Sequence, residues 1–187
     1  MTEISNKTVI EKKGIYKPNP MNEIVLIRGL PGSGKTTVAN MMYKPRYVPG
    51  VHSAATDDWF TDDEGNYDFK PADLVVNHAA CLNWFETRVK KAIAANIIIV
   101  HNTFTMLWEL HPYISYVKNL DTYKDRFRIN VIDIFDGGLS DDELAKRNAH
   151  GVGVEAIKRM RDRWVPWSWK DYNHYVGGIE TFGKRWG

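Results

Sequence analysis

The sequence predicts an α/β fold: a parallel sheet with helices on both faces and a small helical lid. Three observations carry this. The apolar runs Ile24-Val25-Leu26-Ile27 and Ile97-Ile98-Ile99-Val100 are continuous rather than alternating, as in strands buried on both faces. Segments with helical spacing of apolar residues separate the strands, the order expected of right-handed crossovers. A chain of 187 residues, 43% of them hydrophobic, is long enough for one domain built around such a sheet.

Taken in order, residues 1–20 are polar and end in Lys17-Pro18-Asn19-Pro20, so they are expected to form an N-terminal extension to a single domain over 21–187. The first strand is expected over Glu23 to Arg28. A helix from Thr36 to Tyr43 should stop near Pro45. A short strand over Val51 to Ala55 leads into Thr56-Asp57-Asp58-Trp59-Phe60, and Asp62 to Tyr67 is rich in turn formers. Pro71 opens a long helix whose apolar face is predicted as Val75, Ala79, Leu82, Phe85, Val89 and Ile93. After the third strand, a helix is expected over Met106 to Leu120 and a fourth strand over Phe127 to Phe135. Ser140 to Glu143 reads as a capping box opening a helix to about Asn148. Val154, Ile157, Met160 and Trp164 mark a last helix. The stretch from Trp164 onward holds four of the seven tryptophans, with Tyr172, Tyr175 and Phe182. It reads as packing, with a base-stacking surface as the alternative.

The chemistry starts at Gly29-Leu30-Pro31-Gly32-Ser33-Gly34-Lys35-Thr36, which matches G-x-x-x-x-G-K-[ST] at every fixed position and continues into Thr37. A strand precedes it and a helix follows, the context the motif needs. The glycines let successive backbone N–H groups turn inward around a polyphosphate, and the helix start adds its positive dipole end. Lys35 would reach the β- and γ-phosphates, and the Thr36 hydroxyl would sit on Mg²⁺. The chain is therefore expected to bind a nucleoside triphosphate.

Asp57 and Asp58 follow the second strand on the same edge. In phosphoryl transfer one carboxylate there accepts the proton of the attacking hydroxyl while its charge orients Mg²⁺ or its waters. The plainer reading of the same pair is an acidic turn or cap. Lys146-Arg147, ahead of Asn148-Ala149-His150-Gly151, fits a lid whose cation covers the transferring phosphoryl. Arg159, Arg161 and Arg163 read mainly as a solvated face. His78 on the long helix reads as structural, whereas His101, ending the third strand, is better placed for function.

Composition sets the outer limits. A net charge of +2 gives no global argument for nucleic acid, so any such case rests on local patches. The single cysteine, Cys81, excludes an internal disulfide and a cysteine-rich zinc site. With no apolar stretch of membrane-spanning length, no membrane partner and a reducing, cytoplasmic setting are expected.

The GLPGSGKTT loop, the TDDWF segment, the EGNYDFKPADL run leading to His78, the HNT strand end and KRNAHGVGVEAIKRM together resemble the polynucleotide-kinase-like P-loop kinases. The resemblance spans roughly residues 24 to 164. It implies a P-loop kinase-type sheet, ATP with Mg²⁺ as cofactors and a hydroxyl as phosphate acceptor. It implies that Asp57 acts on that hydroxyl and near the metal, and that Arg147 contacts ATP phosphates. Asp58, Trp59, Phe60, His78 and His101 become candidate substrate contacts. Many relatives carry aspartate where this chain has His101. Polynucleotide 5′-kinases carry an arginine shortly after the aspartate pair, where this chain has Trp59-Phe60. The chain also looks like compact phage kinases that phosphorylate 5-hydroxymethyluracil within DNA, which would make DNA its partner and host cytoplasm its setting. An aromatic pair beside the carboxylate would suit a base held out of the stack.

Overall fold

A computed structural model describes residues 21–43, 50–93, 95–121 and 123–183. The expected extension over 1–20 and the helix stop at Pro45 lie outside the described residues. The strands are β1 (Asn22–Arg28), β2 (Val51–Ala54), β3 (Ile97–His101) and β4 (Phe127–Asp133). They form one parallel sheet in the order β2-β3-β1-β4. The helices are α1 (Lys35–Tyr43), α2 (Leu74–Lys91), α3 (Leu107–Lys118), α4 (Tyr123–Arg126), α5 (Asp141–Arg147), α6 (Val154–Asp162) and α7 (Trp169–Gly183).

The continuous apolar character of β1 follows from its place. It pairs with β3 on one side and β4 on the other, and successive side chains enter opposite layers. Ile24 and Leu26 join the layer built from Cys81, Phe85 and Val89 of α2 and from Leu110, Ile114 and Val117 of α3. Val25 and Ile27 enter the other layer with Ala39 of α1 and Ile99 of β3. A third apolar cluster joins Leu30, Leu144 of α5 and Ile157 of α6, so the lid helices sit on the end of β1. Arg161 holds these two helices to the preceding loop, its Nη1 2.6 Å from Asp136, its Nε 2.8 Å from Asp141 and its Nη2 donating to the Leu139 carbonyl.

Several expectations change. On α2 the buried face is Cys81, Phe85 and Val89, while Val75 is 79% and Ile93 82% exposed. The first turn stands clear of the sheet, and Ile93 lies past the helix end, where helical spacing no longer applies. β4 ends at Asp133 rather than Phe135. The aromatic tail forms a further helix, α7, after a break around Pro166. Within it Tyr172 is buried in the main core, donates to or accepts from His111 Nδ1 at 3.0 Å, and packs beside Trp167. Packing is therefore the role of Trp167 and Tyr172.

Arg28, the last residue of β1, is fully buried. Its Nη2 donates to the carbonyls of Thr105 and Val165, its Nε lies 3.4 Å from Asp133, and its guanidinium lies 4.1 Å from the Trp164 ring centre. Arg28→Ala should cost about 2–4 kcal/mol, because it opens a hole and strips the Val165 carbonyl of its donor, while the Thr105 carbonyl keeps the Val165 amide. A fall in Tm of roughly 5–15 °C by calorimetry is expected for a domain of this size.

Candidate active site

The loop between β1 and α1 is shaped by two glycines in the left-handed region, Gly32 at φ 77° and Gly34 at φ 100°. Gly32 is also a point of close approach. A Cβ there would lie 2.2 Å from the Leu144 carbonyl oxygen of α5, whereas one at Gly34 meets nothing. The glycine-rich loop after β1 and α5 are thus in direct contact. Ser33 Oγ is buried without a hydrogen-bond partner. Lys35 Nζ donates to the Leu30 carbonyl at 3.0 Å. Burial pushes its pKa down to about 8, and the nearby Asp57 carboxylate works in the opposite direction. Thr36 and Thr37 are exposed at the start of α1.

Asp57 and Asp58 lie in a 3₁₀ turn over Thr56–Phe60, directly beyond β2. Three side chains fix this turn. The Thr56 amide donates to Asn102 Oδ1 at 2.8 Å, and Thr56 Oγ1 lies 3.1 Å from His78 Nδ1. Asp58 Oδ2 accepts from the Ala55 amide at 2.9 Å, closing the turn on itself. His78 therefore supports the acidic turn through the Thr56 hydroxyl. Asn102 was not singled out by pattern, although it follows the strand end in the His101-Asn102-Thr103 segment.

The two carboxylates face different surroundings. Tyr67 donates its hydroxyl to Asp57 Oδ1 at 3.3 Å, and His150 Nε2 lies 3.7 Å from Asp57 Oδ2. Tyr67 and His150 stack on each other with ring centres 4.2 Å apart. Burial, with Asp57 beside it, raises the Tyr67 hydroxyl to about 12, so it stays a donor. Asp58 instead lines a cavity with Thr36 and His101. His101 Nδ1 is buried and has no hydrogen-bond partner. Burial is the main cause lowering this histidine's pKa, with Asp58 opposing it.

The expected aromatic pair divides. Phe60 is 6% exposed and packs against Tyr67 and Phe69, while Trp59 packs toward α2 and the main core. Together they do not form one stacking face, because consecutive residues of the turn point to opposite sides. Arg147 ends α5, one turn beyond the buried Leu144 and on the same side, with its side chain exposed. Of the other arginines, Arg161 is the lid tie described above, and Arg163 Nε donates to Thr105 Oγ1 at 2.8 Å. Tyr67 and His150 escaped the sequence reading because both sit in segments read as turn and loop. Among the described residues no group of three or more His, Cys, Asp or Glu could hold a metal ion. A site with one hydroxyl donor, Thr36, beside a phosphate loop fits Mg²⁺ held largely by substrate phosphates and water.

No protein-family model matches the chain. It is 36% identical over 143 residues to NEDD4-binding protein 2 of Homo sapiens, covering 75% of this chain. The chain spans only 8% of that protein's length. Among solved structures, the Pnkp1/Rnl/Hen1 complex matches with a TM-score of 0.42 at 22% identity, over 72% of this chain and 41% of that one. Shikimate kinase from Acinetobacter baumannii in complex with shikimate matches with a TM-score of 0.42 at 12% identity, over 87% of this chain and 92% of that one.

Gly32→Ala should weaken binding of an ATP analogue by tenfold or more and lower Tm, since it combines left-handed strain with a clash against α5. Gly34→Ala carries the strain alone and should lower Tm less. Equal losses of Tm in the two variants would remove the lid contact as the cause.

Proposed function

We propose that the chain is an ATP-dependent kinase that transfers the γ-phosphate to a hydroxyl on nucleic acid. The observation that carries this is the placement of Asp57, in the turn beyond the carboxyl end of β2, close enough to influence the charge of Lys35 in the loop beyond the carboxyl end of β1. A triphosphate would lie on the backbone of Gly32 to Thr36, with Ser33 Oγ as one further donor. Thr36 is the residue that would hold Mg²⁺, whose charge offsets that of the β- and γ-oxygens when bound.

The attacking alcohol oxygen forms its bond to the γ-phosphorus as the bond to the β-bridging oxygen breaks, and the alcohol proton passes to Asp57. The bridging oxygen leaves on ADP. Lys35 stabilises the charge on the transferring group, and Arg147, extending from the lid, covers it. In this reading catalysis is positioning and electrostatics, with no covalent enzyme intermediate. Tyr67 and His150 orient the Asp57 carboxylate.

Within nucleic acid, the acceptor we propose is the hydroxymethyl group of 5-hydroxymethyluracil in DNA, with a strand 5′-hydroxyl as the second reading. The order rests on Trp59-Phe60, which stand shortly after the aspartate pair where 5′-kinases carry an arginine for the acceptor's phosphate. Incubation with ATP, Mg²⁺ and either hydroxymethyluracil duplex or plain duplex with free 5′ ends separates the two. Mass spectrometry of the released nucleosides should find the phosphorylated base; label confined to the ends would select the second reading. Slow ADP release that ignores both would overturn the kinase.

Lys35→Ala should abolish transfer with Tm preserved, and near-normal turnover would contradict its role. Asp57→Asn should lower kcat by 10²- to 10⁴-fold, the range of a general base, with the ATP dissociation constant little changed. A large loss of ATP affinity would instead make Asp57 a metal-side group.

A further inference from the structure

We propose that two adjoining cavities along α2 form a track for single-stranded nucleic acid, seating two consecutive nucleotides of the acceptor strand beside the phosphate loop. This rests on the kinase reading above and specifies how its acceptor is held. The first cavity, ≈ 400 Å³, has Thr36 and Asp58 at one end and passes β2 to reach Trp84 and Arg88 of α2. The second, ≈ 380 Å³, shares Trp84 and Arg88 and adds Trp59 and Lys91. Each is of the size that small-molecule sites occupy, and the two adjoin at Trp84 and Arg88, which line both.

The lining points to the ligand. His101 and Ser53 both line the first cavity, and His101 Nδ1 and Ser53 Oγ are buried with no hydrogen-bond partner. His101 itself is only 8% exposed. Such atoms are costly to leave unsatisfied, by about 1–3 kcal/mol each, so they favour a polar occupant. Burial favours the neutral imidazole, which offers one donor and one acceptor rather than a cation. That suits the edge of a base or sugar.

Further along, aromatic and cationic groups alternate. Trp84 and Arg88 are one helical turn apart with the guanidinium 5.7 Å from the ring centre, and Lys91 follows on the same helix. Trp59 adds the second ring. Aromatic faces for bases interleaved with cations for phosphates are what single strands bind without sequence preference. Among the described lining residues Asp58 is the one carboxylate in the first cavity, at its phosphate-loop end, and the second has none. Arg88 thus supplies from α2 the cation that the acidic turn lacks.

The test is anisotropy titration of a labelled single-stranded oligonucleotide onto the full chain, with a non-hydrolysable ATP analogue and Mg²⁺, across a salt series. Arg88→Gln and Lys91→Gln should each reduce the slope of log K against log salt by about 0.7. Trp84→Ala should weaken binding about 5- to 150-fold and Trp84→Phe much less. Affinity for the ATP analogue should hold within about twofold in all four. Thermal melts identify any variant that has lost its fold, and Arg88→Gln and Trp84→Phe then decide. Wild-type slope and affinity in those variants, or no strand binding by the unaltered chain, would overturn the track. Phosphate transfer is measured separately: a chain that transfers phosphate but binds strands independently of Arg88 and Trp84 keeps the kinase and loses the track. Strand binding that depends on them without any transfer does the reverse.

Discussion

The site depends on how the carboxyl end of β1 is held, and the holding is done by the buried Arg28 guanidinium. It joins the strand that carries the phosphate loop to the segment after β3, through the Thr105 carbonyl, and to the segment after α6, through the Val165 carbonyl and the Trp164 ring. A guanidinium suits this position because Nη2 alone donates to both carbonyls while one face lies on an aromatic ring; Nε and Nη1 are buried without a hydrogen-bond partner, Nε lying 3.4 Å from Asp133. Burial works against its charge; Asp133 and Glu109 restore part of the balance. The loop therefore leaves a fixed platform, and its own glycines set its remaining shape.

A second constraint follows at the neighbouring strand ends. The acidic turn after β2 has one backbone amide bound by Asn102 from beyond β3 and one hydroxyl against His78 from α2. Both partners come from elements packed in the main core, so the turn cannot rotate independently of the sheet. Within that frame, a tight turn of adjacent residues sends its side chains to different sides. Asp57 meets Tyr67 and the lid's His150, while Asp58 meets the Thr36 side of α1. The same divergence sends Phe60 into its aromatic cluster and Trp59 toward α2.

Much of this was legible in the sequence where a local pattern had one physical meaning. The phosphate loop, the two central strands and the Ser140–Glu143 capping box are patterns of that kind, and the box forms with both reciprocal bonds. The apolar face of α2 was only half legible, because spacing reports which residues share a face and not how far along it the sheet reaches. By sequence Arg28 is only the end of a strand, since a buried cation is indistinguishable by type from an exposed one. Tyr67, His150 and Asn102 act through tertiary contacts made by loops, where periodicity carries no information. The aromatic tail was ambiguous for a related reason: the same residues can cover a core or stack on bases, and burial of Tyr172 decides it for the residues around it.

The electrostatics of the site follow from these placements. Lys35 is buried enough to lose part of its basicity, and the loop carbonyl of Leu30 and the carboxylate of Asp57 are what keep the ammonium favourable. A polyphosphate brings several negative charges to the same point, so its binding strengthens the charged state that burial opposes. With a polyphosphate bound, Asp57 would share its cation with a far stronger anion, leaving the Tyr67 hydroxyl as its hydrogen-bond donor and His150 as a neighbour at 3.7 Å. Tyr67 stays protonated and so remains a donor to the Asp57 carboxylate. His150 belongs to the lid loop, and the lid touches the phosphate loop through Leu144 at Gly32. The helices α5 and α6 and the loop between them therefore touch both the β1–α1 loop at Gly32 and the Asp57 turn, and in the proposed reaction they would couple nucleotide to acceptor.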